Sequence, residues 1–239
     1  MSRVPCLLRW SAFLAVALGA AGMPGRLEPQ AADELPQAAQ LVETPQYLLY
    51  LPHRTNRTTP CPLIVAFSPH ADAHAMIRLW KGVADDHQWM LLASRAFRNG
   101  IDTSAMDVEL ISYLGELIHT YTLDPFKIVA TGFSGGGMHA YDLAFQHPRL
   151  FCAVVVNTGV MRDDWRQSHT LPHQKLAVLL ASPEDVLYEE MRLNQQFLLD
   201  LQWKTLWIEF DGGHSLGPLS AYDRVGEWLE AKWDARDRE

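Results

Sequence analysis

The chain has 239 residues, 48% hydrophobic and 20% charged, a balance that suits one globular domain with a sizeable core and excludes disordered or fibrous classes. Its 20 Lys and Arg stand against 28 Asp and Glu, a formal net charge of −8, and no stretch clusters cations as phosphate contacts require. Nucleic acid is therefore not an expected partner.

In chain order, residues 1–22 read as an address. Arg3 and Arg9 precede or open an apolar run ending at Leu18, and Gly19, Ala20, Ala21 and Gly22 follow, as in a secretory signal peptide. The run is shorter than the roughly 20 apolar residues of a bilayer span. Export to the periplasm or beyond, with no stable membrane insertion after cleavage, is the expectation; a retained N-terminal anchor is the alternative. Residues 23–46, rich in Ala, Pro and Gln, read as a flexible arm, and 47–239 as one domain. Cys61 and Cys152 read as buried, inert thiols, because two cysteines make no disulfide framework; a bridge between them, which an oxidising compartment allows, is the alternative.

From Tyr47 onward, short apolar runs alternate with amphipathic ones. Strands are predicted at 47–51, 63–67, 89–93, 127–131, 153–157, 175–181 and 205–210. Helices are predicted at 76–86, 107–120 (with Asp107 as cap), 134–146, 188–200 and 219–232. This alternation predicts an α/β fold: a mostly parallel, twisted sheet with helices on both faces. The connection from Asn157 to Lys175 is short, so little or no lid is expected. Ligands of such sheets bind beyond the carboxyl ends of the strands.

At one such end, Gly132-Phe133-Ser134-Gly135-Gly136-Gly137 joins a strand to a helix. A Ser in this G-x-S-x-G setting sits on a turn too sharp for side chains two residues to either side. The turn lifts the Ser134 hydroxyl to the top of the sheet and aims the Gly135 N–H at the reacting centre. A hydroxyl becomes a nucleophile when a base takes its proton, and the base needs an orienting acid. The strand 175–181 ends in Ser182-Pro183-Glu184-Asp185, and 205–210 ends in Asp211-Gly212-Gly213-His214. Asp185 is the expected acid, with Glu184 in reserve, and His214 the expected base. His139, His147 and His173 read as structural. His70-Ala71-Asp72-Ala73-His74 invites a metal reading, but a loop lining the cleft explains it without a missing ligand set, so neither metal nor cofactor is expected.

Together these residues resemble the α/β-hydrolase superfamily, and within it small lidless esterases of the dienelactone hydrolase and polyhydroxybutyrate depolymerase or feruloyl esterase kind. The resemblance runs from about Tyr47 to the C-terminus and implies the chain order Ser, Asp, His. It implies a Ser-His-Asp hydrolase that cleaves small-molecule or polymer-derived carboxylic esters through an acyl-enzyme. It also assigns the second oxyanion donor to the His70 N–H. Where such enzymes carry His-Gly, this chain reads Ser68-Pro69-His70, and Pro69 has no N–H to offer. An inactive or weak hydrolase-fold binding protein therefore stays open, as does a peptidase or thioesterase of the same fold. The expected pocket walls are residues 68–74, 99–103 and 160–169.

Overall fold

The computed structural model describes residues 39–53, 60–168 and 170–238. The expected signal peptide, most of the expected arm and position 169 lie outside these residues.

Eight strands form one sheet: β1 (Gln40–Glu43), β2 (Tyr47–Leu51), β3 (Cys61–Phe67), β4 (Met90–Ser94), β5 (Leu123–Phe133), β6 (Ala153–Asn157), β7 (Leu176–Ala181) and β8 (Lys204–Glu209). Their spatial order is β1-β2-β4-β3-β5-β6-β7-β8. All pairs from β4 to β8 are parallel, while β1 and β2 add antiparallel at one edge. The arm expected to run through Gln46 thus ends in a strand. Leu41 and Val42 carry the β-branched and apolar character that pairing with Tyr50 and Leu49 rewards, but four residues give too little alternation to stand out in sequence.

Six helices fill the connections: α1 (Ala73–His87), α2 (Ser104–Thr120), α3 (Gly135–Gln146), α4 (Asp163–Arg166), α5 (Tyr188–Asp200) and α6 (Leu219–Arg236). Asp72 caps α1, its carboxylate accepting from the Ala75 N–H at 2.8 Å. Asp107 is not the cap of α2. Thr103 holds that position, and Asp107 lies in the first turn, where its charge still suits the positive helix end.

The central strands are buried on both faces, which accounts for their unbroken apolar runs. Leu63, Val65 and Phe67 of β3 point toward α2, α3 and α5, whereas Ile64 and Ala66 point toward α1 and α6. Each such side chain stabilises the fold by about 1.5–3 kcal/mol on burial. Trp80 of α1 and Tyr222 of α6 meet edge to face at 4.9 Å and close the second layer. Cys61 and Cys152 are free thiols, the first buried and the second half-buried, and burial pushes them up to about 12 and about 11.

The chain reverses its direction of travel across the sheet at β3. Its successor β4 lies on one side and β5 on the other, so the loops after β3 and β5 part there and leave a crevice. The connection from β6 to β7 carries only the four-residue α4 among its described residues, and no lid is evident.

Candidate active site

Ser134 occupies the turn between β5 and α3 with φ 54° and ψ −121°, a conformation that costs a non-glycine residue of order 1–3 kcal/mol. Close packing holds it there. A Cβ on Gly132 would stand 2.2 Å from the Gly136 carbonyl carbon, and one on Gly136 would stand 2.2 Å from the Phe67 carbonyl oxygen. The Ser134 N–H is bonded to the Asn157 carbonyl of β6 at 2.9 Å. The Ser134 carbonyl accepts from the Gly137 and Met138 N–H groups, which starts the helix. The Gly135 N–H precedes any possible intrahelical partner and is left for a ligand.

Asp185 and His214 arrive from two other strand ends. His214 Nε2 lies 2.8 Å from Ser134 Oγ, and its Nδ1 lies 2.9 Å from Asp185 Oδ2. The Asp185 side chain is fully buried and that of His214 is 41% exposed, so the carboxylate is shielded and the imidazole is open to the cleft. The second Asp185 oxygen accepts from the Leu187 N–H at 3.0 Å, which fixes the carboxylate plane while it serves the start of α5. Glu184, the reserve acid, points elsewhere: it is exposed and accepts from the Gly212 N–H at 3.0 Å.

The His214 loop is held from both sides. Gly212 and Gly213, at φ 129° and 63°, take a turn that suits glycine, and the Gly213 N–H reaches Ser182 Oγ at 2.9 Å. Beyond the histidine, Asn157 donates to the Ser215 carbonyl at 2.9 Å. Its Oδ1 accepts from the Gly217 N–H and the Tyr222 hydroxyl, both at 2.7 Å. Asn157 thus ties the Ser134 backbone and the His214 loop to β6. In sequence Asn157 marks only a strand end, and its one signal is a polar residue closing a run of three valines.

The loop after β3 brings His70 near, less tightly. The His70 N–H makes a long bond of 3.3 Å to Ser68 Oγ, and its backbone bridges Arg98. The Pro69 carbonyl accepts from the Asn99 N–H at 3.0 Å, so loops 68–70 and 98–99 brace each other. Asn99 is the other residue sequence reasoning underused. Its carboxamide fills the space beside Gly135, with Oδ1 only 1.9 Å from where a Cβ would stand.

Two connected hollows lie alongside. A small one of about 220 Å³ runs from Gly135 and Met138 past Asn99, and a larger one of about 620 Å³ reaches Asp107 and Asp142. Ile101, Thr103 and Arg162 border both. Beneath them His139 is buried between the rings of Phe67 and Phe97, with Nε2 3.1 Å from Asp107 Oδ1 but without hydrogen-bond alignment. Asp142 accepts from the Trp165 indole at 2.6 Å and faces Arg162 at 2.8 Å; burial raises its carboxyl pKa, and these two neighbours oppose the rise. His139 thus lines the floor of the small hollow. No group of three metal-ligating side chains occurs among the described residues, and the Asp72 carboxylate is engaged at its helix cap.

Residues 95–196 match the sequence profile of the prolyl oligopeptidase family. No curated protein matches the chain in sequence. Among solved structures, the fold is similar to that of a Bacillus cereus carboxylesterase, at 18% identity and TM-score 0.62, over 77% of this chain and 93% of that one. An S-formylglutathione hydrolase from Agrobacterium tumefaciens superposes at 14% identity and TM-score 0.57, over 83% and 94% of the two chains. A putative dipeptidyl aminopeptidase IV from Bacteroides ovatus gives TM-score 0.62 at 12% identity. There 82% of this chain covers only 36% of the larger protein.

Proposed function

The chain has the α/β-hydrolase fold, and from that premise we propose that it is a serine hydrolase cleaving carboxylic esters through Ser134, His214 and Asp185. The observation that carries this reading is the unbroken relay Asp185–His214–Ser134, at 2.9 and 2.8 Å, above a strained nucleophile turn. Asp185 accepts from Nδ1–H and so leaves Nε2 free to accept the serine proton.

In the first half-reaction Ser134 Oγ attacks the ester carbonyl carbon as its proton passes to His214 Nε2. The carbonyl oxygen gathers negative charge, which the Gly135 N–H and the positive end of α3 stabilise. The His70 N–H is the second donor if it turns from Ser68 Oγ to the oxyanion, and the length of that bond favours the exchange. Collapse expels the alcohol, which takes the proton from His214, and leaves an acyl-serine. Water, giving its proton to His214, then attacks the acyl carbon; the bond to Ser134 Oγ breaks, Oγ takes the proton back from His214, and the acid leaves. The hollow beside Gly135 and Asn99 is the natural seat of one substrate arm, and the absence of a lid in the described residues suits an open or polymer-derived substrate.

A peptidase reading is favoured by one observation, the prolyl oligopeptidase profile over residues 95–196. Export belongs to the same proposal and rests on residues 1–22 alone.

The test is a fluorophosphonate probe on the wild type and on Ser134→Ala, with p-nitrophenyl acetate and a peptide p-nitroanilide as paired substrates. Labelling and ester turnover in the wild type, both lost in the variant, support the proposal. Peptide turnover exceeding ester turnover would replace it with the peptidase reading. No labelling and no turnover would leave a binding protein on a hydrolase scaffold.

A further inference from the structure

The opposite end of the sheet carries a third hollow that the proposed chemistry does not use. It has a volume of about 700 Å³ and forms where β6, β7 and β8 begin. Cys152, Lys175 and Lys204 stand at those three starts, and the last turns of α6 supply Lys232, Trp233 and Arg236. The parallel registers Ala153 with Leu176 and Leu176 with Lys204 align the starts. Six residues of β7 separate them from the end bearing Asp185, about 20 Å at strand rise.

The lining contains Lys175, Lys204, Lys232, Arg236 and His173 and no Asp or Glu. In a chain of formal charge −8, four cations around one hollow run against the whole molecule's balance. Their charges are poorly offset. Lys204 and His173 have no side-chain partner among the described residues, and Lys232 lies over the Trp228 ring at 5.4 Å. Arg236 approaches Asp237 at only 3.7 Å, and that carboxylate is bonded more closely to Lys127. Lys175 is anchored by the Pro148 and Phe151 carbonyls and has its pKa lowered, first by burial and then by the nearby Arg236 charge. Trp233, almost wholly buried on the same wall, turns its indole N–H toward the Cys152 thiol.

We propose that this hollow binds a phosphate-bearing small molecule, held by Lys204, Lys232 and Arg236 over the floor formed by Lys175 and Trp233. Phosphate oxygens accept from Lys point charges and from the Arg fork alike. The volume exceeds that of a bare ion and lies within the range of small-ligand sites. The inference does not depend on the Ser134 chemistry.

Calorimetric titration with pyrophosphate and with inorganic phosphate tests it, on the wild type and on Lys204→Ala/Lys232→Ala/Arg236→Ala. These are surface positions, and an unchanged circular dichroism spectrum verifies the fold of the variant. The wild type should bind pyrophosphate more tightly than phosphate, weaken with added salt, and lose on the order of 10²-fold in affinity in the triple variant. No binding at millimolar pyrophosphate, or equal binding by the variant, overturns the proposal. Vesicles of neutral lipid with and without an anionic phospholipid separate the sources of the phosphate. Sedimentation with anionic vesicles alone, without pyrophosphate binding, overturns the small-molecule site in favour of a lipid surface.

Discussion

Two adjacent carboxylates, Glu184 and Asp185, follow β7, and side-chain chemistry alone does not choose between them. Geometry does. Asp185 is fully buried with one oxygen on His214 and the other on the Leu187 N–H, while Glu184 is exposed and holds the Gly212 N–H. Removing the acid's charge should upset the imidazole tautomer, so Asp185→Asn should lower kcat by roughly 10³–10⁴. Glu184→Gln keeps an acceptor for Gly212 and should stay within about threefold of wild type, near the scale of a surface substitution. Steady-state ester kinetics on the two variants make the comparison, and equal losses would move the orienting role off Asp185.

The strand–turn–helix element around Ser134 was legible in sequence because its glycines have a steric cause that reads one position at a time. The structure separates those causes. Gly132 and Gly136 face main-chain atoms at 2.2 Å, which cannot move without breaking the turn, whereas Gly135 faces the exposed Asn99 side chain, which can swing away. Gly136→Ala should therefore fail to fold or melt far below wild type. Gly135→Ala should fold with little change in Tm yet lose most ester turnover, because its methyl group displaces Asn99 beside the nucleophile. Thermal melts read beside activity distinguish the two. Other elements were less legible. The edge strand β1 and the single-turn α4 are too short to show a period, and Asp107 looked like a cap because an acid at a helix start has two equivalent uses. Asn99 and Asn157 gave almost no signal, since their roles arise from loops that meet only after folding.

At the scale of the whole molecule, the proposed relay draws on three separate strand ends: Ser134 follows β5, Asp185 follows β7 and His214 follows β8. Strand β6 lies between them, and its last residue joins them. The Asn157 carbonyl holds the Ser134 N–H, and its side chain holds the Ser215 and Gly217 backbone and the Tyr222 hydroxyl. Asn157→Ala should leave KM nearly unchanged and lower kcat on the order of 10²-fold, the effect of a displacement near 1 Å. It should also cost about 1–3 kcal/mol, because Tyr222 is left buried without its acceptor. A loss of stability with kcat intact at low temperature would reduce Asn157 to a structural residue. One residue on a central strand thus ties both loops, the Ser134 turn through its main chain and the His214 loop through its side chain, and local loosening of either is resisted by a strand buried along its whole length. Such a molecule has no half-melted yet working form: as temperature or denaturant rises, catalysis and the sheet should fail at the same point, and turnover becomes a gauge of the core.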